Sequence, residues 1–249
     1  MDKALQAQKT ILTDTKTWEK KMKILVILAH PDDPEFFCGG TLAKWANEGH
    51  QISYCLLTHG EKGTNSEFSY TDRIKEIREQ EQNEAALTIG ANKIIFLDHP
   101  DGFLEANLSL RKELVRVMRK EQPDIVVSCD PSNFFIKGET INHPDHRAAG
   151  LAVIEAIFPG VQNRDFYPEL LDEGLDQHHI QELWLSLPQE ANILIDVTAY
   201  WNIKIEALLS HKSQVGDPDL FIERMKKRGK IMDEQERFFE EFRRLVIRK

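Results

Sequence analysis

The chain has 249 residues, of which 41% are hydrophobic and 29% charged, a composition typical of a soluble globular protein. Its formal net charge of −9 argues against nucleic acid or an anionic membrane surface as a partner, because their phosphates would be repelled. A cytoplasmic protein without membrane insertion is expected, since the polar residues 1–21 do not resemble a secretory signal, no apolar stretch reaches the roughly 18 residues of a membrane span, and the three cysteines lack a Cys-x-x-Cys pair.

Strands and helices alternate along a single predicted domain at residues 23–249, which follows an N-terminal extension at residues 1–22. Short apolar runs bounded by Gly or Pro predict strands at 23–28, 51–57, 93–97, 125–128, 183–187 and 193–197. Helices are predicted at 37–47, 71–89, 109–121 and 143–158 and, after an irregular excursion at 162–179, at 200–211, 218–230 and 233–244. This alternation predicts a three-layer α/β fold with a mostly parallel, Rossmann-like sheet and a helical C-terminal tail.

The first predicted strand ends directly before Ala29-His30-Pro31-Asp32-Asp33. Proline ends the strand pairing, and ligands of open α/β sheets bind at the carboxyl ends of the strands. An imidazole and two carboxylates are the groups that a divalent metal needs, with one acid to spare. The alternative is a polar turn in which Asp32 and Asp33 cap the following helix.

A second cluster, Asn142-His143-Pro144-Asp145-His146, opens a later predicted helix. Side chains three residues apart on the first turn of a helix share a face, so one histidine can bind a metal while the other faces a substrate. The alternative is a pair of surface histidines with Asp145 stabilising the helix N-terminus. The two clusters together predict a metal site that is assembled by folding.

These motifs resemble those of the LmbE-like, or PIG-L, family of zinc-dependent N-acetylglucosamine deacetylases. The resemblance covers about residues 23–246 and includes Gly39-Gly40-Thr41, residues 78–90, Asp101-Gly102, residues 196–198, Lys204, residues 211–214 and residues 240–245. It implies a metal-dependent amidohydrolase that acts on C–N bonds other than peptide bonds. Its expected substrate is a small molecule that contains N-acetylglucosamine, and its expected cofactor is Zn²⁺.

The resemblance implies a role for each matching position in the two clusters. His30, Asp33 and His146 would bind the zinc, and Asp32 would be the general base that takes a proton from the zinc-bound water. His143 would stabilise the oxyanion or protonate the leaving amine. This division of labour is chemically sound, because zinc lowers the pKa of its water to about 7 and a neighbouring carboxylate that does not bind the metal can accept the proton.

Further positions take weaker roles from the same resemblance. Arg78, Asp101 and His211 are expected to contact the substrate, and Asp145 is expected to support the metal ligands without binding the metal. Many family members have a glutamate directly after the second aspartate of the first motif. Here Pro34 occupies that position and the acid is Glu35.

Two other functions stay open. A Rossmann-type nucleotide-binding oxidoreductase is disfavoured, because no Gly-x-Gly-x-x-Gly follows the first strand. A non-catalytic carbohydrate-binding protein could keep the metal site. The resemblance leaves glucosaminyl-inositol, glucosaminyl-malate and chitobiose-like substrates open and implies a homotrimer or homohexamer, in which His211 could reach a neighbouring pocket. Exposed-looking aromatics at Phe134-Phe135 and Phe166-Tyr167 indicate a partner surface or a substrate platform, and the alternative is that these rings pack under their own loops.

Overall fold

The structure, a computed structural model, describes residues 12–13, 18–63, 72–136, 138–229 and 237–248. Most of the predicted N-terminal extension therefore lies outside the described residues. The strands are β1 Leu12–Thr13, β2 Lys23–Leu28, β3 Gln51–Thr58, β4 Lys93–His99, β5 Ile125–Cys129, β6 Phe135–Ile136, β7 Thr140–Ile141, β8 Glu182–Ser186, β9 Ile193–Asp196 and β10 Phe239–Val246. The helices are α1 Asp33–Asn47, α2 Asp72–Ile89, α3 Leu108–Glu121, α4 Pro144–Glu155, α5 Glu169–Asp172, α6 Trp201–Leu209, α7 Lys212–Val215 and α8 Pro218–Gly229.

Eight of the described strands form one sheet in the order β1-β9-β10-β8-β5-β2-β3-β4. All neighbouring strands are parallel except β10, which is antiparallel to both β8 and β9. The predicted α/β fold with a mostly parallel sheet is confirmed. Because β2 has β3 on one side and β5 on the other, the chain reverses its direction of travel across the sheet there, and a crevice is expected at the carboxyl ends of β2 and β5.

Both faces of the sheet are covered, as strand β2 illustrates. Ile24, Val26 and Leu28 pack in a core cluster with residues of α1, α2 and α6. Leu25 and Ile27 point to the opposite face and pack with residues of α3 and α4. Burial of both faces explains why this strand is apolar at every position from Ile24 to Leu28 rather than alternating. Within the described residues, none of the helices combines the length and the apolarity needed to cross a membrane.

The prediction of a helix over residues 233–244 is wrong for residues 237–244, the part of this range that the structure describes. Strand β10 occupies that segment, with Glu240 and Phe242 buried and Glu241 and Arg243 exposed, the alternation of a strand. Its backbone pairs with strands on both sides, and this pairing outweighs the helical preference of its Glu, Arg and Leu residues. Residues 233–236 lie outside the described residues. The predicted tail is helical only from α6 to α8.

Two predicted helix boundaries also differ. Helix α1 begins at Asp33 rather than at residue 37, because Pro34 suits the first turn of a helix. Helix α4 ends at Glu155 rather than at residue 158, and a π-helical turn, Ala156–Val161, follows it. Phe158, with φ −125° and ψ 121°, interrupts the helical backbone just before Pro159.

Candidate metal centre

The two predicted motifs meet at the carboxyl end of the sheet. His30 follows β2, while His143 and His146 lie at the start of the helix that follows the neighbouring strand β5. Gly150 allows this helix to lie close to β5, since a Cβ at that position would be 2.2 Å from the carbonyl oxygen of Cys129. The ring centroid of His30 is 4.8 Å from that of His143 and 5.2 Å from that of His146. Folding thus brings the three imidazoles together.

The carboxylate of Asp33 lies between two of these rings. Its Oδ1 is 3.1 Å from His146 Nε2, and its Oδ2 is 3.3 Å from His30 Nδ1. The backbone N–H of His30 also donates to Asp33 Oδ2 at 2.9 Å. Burial raises the pKa of Asp33, but the two histidines outweigh burial and hold it well below its usual range. Asp33 is therefore ionised.

The orientation of His146 follows from its neighbours. Asn142 donates through Nδ2 to the carbonyl of Asn133 at 2.8 Å, which turns its Oδ1 towards His146 Nδ1 at 3.1 Å. In the neutral ring Nδ1 carries the proton, so the lone pair of Nε2 faces the carboxylate of Asp33. Two acceptors at this separation require a proton or a metal ion between them.

The donor set fits a zinc ion. Two imidazoles and one carboxylate are typical ligands of catalytic zinc. Asp33 contacts the two rings through its two different oxygens, at 3.1 Å for His146 and 3.3 Å for His30. Among the described residues, the groups of three whose ligand atoms lie within 4.8 Å of one another are His30 with His143 and His146, and His30 with Asp101 and Asp145. Asp33 belongs to neither group.

His30 is held from its far side by two more carboxylates. Its Nε2 is 3.1 Å from Asp101 Oδ1 and 3.4 Å from Asp145 Oδ2. Asp145 also accepts the backbone N–H groups of Gly102 and Leu104, at 2.7 and 3.2 Å. Burial alone would lower the pKa of His30, yet the surrounding carboxylates raise it well above 6.5. Asp145 thus lies behind the ring that it was predicted to support, and Asp101 contacts the same ring.

Asp32 has an unusual backbone and two fixed contacts. Its φ of 88° lies in the left-handed region, its N–H donates to Gln82 Oε1 at 2.8 Å, and its Oδ2 accepts from Arg78 Nη2 at 3.0 Å. Burial raises the pKa of Asp32 to about 6, with Arg78 lowering it and Asp33 raising it. A carboxyl group that titrates near neutrality can both accept and return a proton at physiological pH.

His143 is the most exposed of the three histidines. It is the N-cap of α4, and its Nδ1 accepts the N–H of Asp145 at 3.2 Å. Burial and the neighbouring His30 and His146 lower its pKa. The ring is therefore neutral at pH 7, with its proton on Nε2, and can donate a hydrogen bond.

Two predicted substrate contacts are buried beneath the site. Arg78, only 3% exposed, donates to the carbonyls of Gly60 and Pro31, both at 2.6 Å. His211 is 0% exposed, with its Nε2 3.2 Å from Glu35 Oε2. These positions favour bracing roles. The expectation that His211 could reach a neighbouring subunit's pocket does not fit a side chain buried within its own chain.

Exposed aromatic and apolar side chains border the site. Phe103, two residues after Asp101, is 67% exposed, and Lys62 Nζ lies 3.6 Å from its ring centroid. Phe134 and Phe135, at 51% and 66% exposed, belong to the segment that forms the hairpin β6–β7 just before His143. We call Phe103, Lys62, Phe134 and Phe135 the rim.

Sequence reasoning gave no role to Gln82 or Asn142, although both lie within motifs that it quoted. Each amide orients a site residue, Asp32 and His146 respectively. The signal that was available was their position beside the charged residues of those motifs. The function of a neutral amide depends on its hydrogen-bond partners, and the sequence does not show which partners it has.

Comparisons with known proteins give one family model, several similar sequences and similar solved structures. Residues 25–157 match the family described as PIG-L, GlcNAc-PI de-N-acetylase. The chain is 37% identical over 193 residues to the diacetylchitobiose deacetylase of Thermococcus kodakarensis, covering 77% of this chain and 70% of that protein. It is 29% identical over 196 residues to a probable N-acetyl-alpha-D-glucosaminyl L-malate deacetylase 2 of Bacillus anthracis, covering 77% and 80%. The inhibitor-bound N,N'-diacetylchitobiose deacetylase of Pyrococcus horikoshii superposes with a TM-score of 0.82 at 31% identity, covering 90% of this chain and 84% of that chain.

Proposed function

The chain belongs to the PIG-L family of GlcNAc-PI de-N-acetylases, and we propose that it is a zinc-dependent hydrolase that removes the N-acetyl group from a small molecule containing N-acetylglucosamine. The reaction class is hydrolysis of a C–N bond other than a peptide bond. One observation carries the zinc assignment. His146 Nε2 lies 3.1 Å from Asp33 Oδ1, a contact that a shared proton or a shared metal cation stabilises.

The proposed mechanism assigns each polar group one task. Zinc held by His30, Asp33 and His146 would supply Lewis acidity towards the amide carbonyl and the attacking water. Asp32 accepts the proton of that water and returns it to the departing nitrogen, for which its raised pKa is suited. His143 donates a hydrogen bond from its Nε2–H to the developing oxyanion, while the proton that the leaving amine needs comes from Asp32.

We propose that the substrate carries a second group beyond the acetylated sugar, as a disaccharide does. The support is the rim, where the exposed ring of Phe103 adjoins the site and offers an apolar face with the ammonium of Lys62 beside it. Aromatic side chains with a few polar groups are the usual lining of small-molecule sites. Diacetylchitobiose, the compound named for the Thermococcus relative, has this shape.

We further propose that the chain forms a homotrimer or homohexamer. Large apolar side chains away from the rim, such as Leu87, Leu151 and Phe158, are 77%, 42% and 74% exposed. Phe166 is 42% exposed, and Tyr167 is partly buried and packs against the core. Exposed apolar groups of this size are typical of partner surfaces. Light scattering at micromolar concentration tests the assembly, and the mass of a single chain would contradict it.

The activity is tested with zinc-loaded protein on diacetylchitobiose, N-acetylglucosaminyl-malate, N-acetylglucosaminyl-inositol and N-acetylglucosamine, with release of free amine as the readout. The control is Asp32→Asn, which keeps the shape of the side chain but cannot accept the proton, so kcat should fall by ~10²-fold or more while zinc content persists. Binding without amine release from any compound would favour the non-catalytic alternative. Loss of zinc from the Asp32→Asn variant would show that Asp32 binds the zinc.

A further inference from the structure

We propose that Gln82 and Glu35 are positioning residues for the reaction: without touching substrate, they hold the backbone at Asp32 and so aim its carboxylate. This inference rests on the proposed role of Asp32 as the base. Its basis is a chain of buried side chains that leads from helix α2 and the α6–α7 junction to the backbone of Asp32.

The conformation of Asp32 needs external support. A residue with a Cβ rarely adopts φ 88° and ψ −30° unless its surroundings impose it. Arg78 holds one side, because it donates both to the carbonyl of Pro31 and to the carboxylate of Asp32. Gln82 holds the other side by accepting the N–H of Asp32 at 2.8 Å. Together these contacts determine the direction in which the carboxylate leaves the backbone.

Glu35 determines which end of the Gln82 amide faces Asp32. Gln82 is 0% exposed, and its Nε2 lies 3.1 Å from each oxygen of the Glu35 carboxylate. An ionised carboxylate only accepts hydrogen bonds, so the NH₂ group must face Glu35 and the oxygen must face Asp32. A flipped amide would set NH₂ against the N–H of Asp32 and an oxygen against the carboxylate. Both contacts would be repulsive.

Glu35 is itself fixed by His211. Both side chains are 0% exposed, and His211 Nε2 lies 3.2 Å from Glu35 Oε2. In such a buried network each polar group depends on its neighbours, because no water can replace a lost partner. His211 thus supports Asp32 within its own chain through two intervening side chains, Glu35 and Gln82.

The test is Gln82→Met, which keeps the length and apolar bulk of the side chain but cannot accept a hydrogen bond. We expect kcat per zinc-loaded molecule to fall about 10- to 100-fold, the effect of misplacing a reacting group by about 1 Å. KM should stay within about twofold and zinc content should not change, since the lost interaction matters only in the transition state. The matched control is Gln80→Met on the same helix, where the side chain is exposed, and its kinetics should equal those of the wild type.

A purely structural role would lower Tm and leave kcat per zinc-loaded molecule within about twofold of wild type, which would overturn the proposal. If Gln82→Met does not fold, the double variant Glu35→Gln/Gln82→Glu decides. It exchanges amide and carboxylate, so an oxygen still faces the N–H of Asp32, and kcat should stay within about threefold of wild type. A larger loss with full zinc content would contradict the proposal. Failure of the proposed function itself is distinct, because the wild type would then release no amine.

Discussion

The ion pair between Glu240 and Lys204 is buried, and its removal should destabilise the fold. Lys204 Nζ lies 2.6 Å from Glu240 Oε1, and the two side chains are 5% and 4% exposed. The same carboxylate accepts the backbone N–H groups of Gly40 and Thr41 at 3.0 and 2.7 Å. These N–H groups follow directly after the kink of helix α1 at Cys38, where φ is −146° and ψ is 16°. Glu240 therefore caps the second half of α1 from the last strand of the sheet.

The perturbation is Glu240→Gln, which keeps the shape but removes the charge. Removing one partner of a buried pair costs about 3–5 kcal/mol, because the remaining charge is left uncompensated. The lower end, about 3 kcal/mol, applies here because the amide oxygen can still accept one of the two N–H groups. For a chain of this size such a loss lowers Tm by about 6–12 °C. Adding Lys204→Met removes the stranded ammonium and should recover at least about 1 kcal/mol.

The assay is urea denaturation followed by circular dichroism, with a thermal scan beside it. The matched control is Glu173→Gln, which breaks a pair of similar length, 2.7 Å, between Glu173 and Arg116 at the surface, where the side chains are 44% and 40% exposed. Its cost should be much smaller than that of Glu240→Gln, because an exposed ion pair is screened by solvent. The reasoning is refuted if Glu240→Gln costs less than about 1 kcal/mol, or if the double variant loses as much as the two single variants together.

Three further predictions concern the metal, the substrate and pH. His146→Ala should lose zinc and activity together, as measured by metal analysis and amine release, and full zinc content with full activity would show that His146 is not a ligand. Phe103→Ala should raise KM for diacetylchitobiose but not for N-acetylglucosamine. Equal effects on the two compounds would show that the rim does not bind the second sugar. Burial raises the pKa of Glu182, but hydrogen bonds, that of Arg244 foremost, bring it below its ordinary 4.5. The stabilisation that ionised Glu182 gives to the folded state is therefore fully present above about pH 4.5. It is lost as the pH falls through the lower pKa that Glu182 has in the folded state. Urea denaturation should accordingly show a cost of Glu182→Gln at pH 7 that shrinks in acid, and a cost that grows in acid would contradict this sign.

The strands that sequence reasoning located correctly are those whose pattern is local. β2 is apolar from Ile24 to Leu28 because both of its faces are covered, and the proline shortly after it marks its end. β10 carries no comparable signal. Its inward-facing positions include Glu240. The carboxylate of Glu240 is buried where Lys204 and the backbone N–H of Thr41 in helix α1 donate hydrogen bonds to it. A buried charge disguises the alternation of a strand, and its partners lie too far away in the sequence to be inferred.

The same distinction separates the predicted site residues from the missed ones. His30, Asp33 and His146 carry chemistry in their residue types, so two motifs were enough to propose that they meet. Gln82 matters because its oxygen, rather than its NH₂ group, faces Asp32. That fact depends on a carboxylate from another helix. Residue type indicates what a side chain can do, whereas orientation decides what it does.

The burial of His211 changes how assembly relates to catalysis. The resemblance alone made it a candidate for completing a neighbouring pocket, which would link oligomerisation to activity. In the structure His211 is buried and faces Glu35 of its own chain. The burial of His211 therefore removes the one residue that the resemblance gave as a link between assembly and activity.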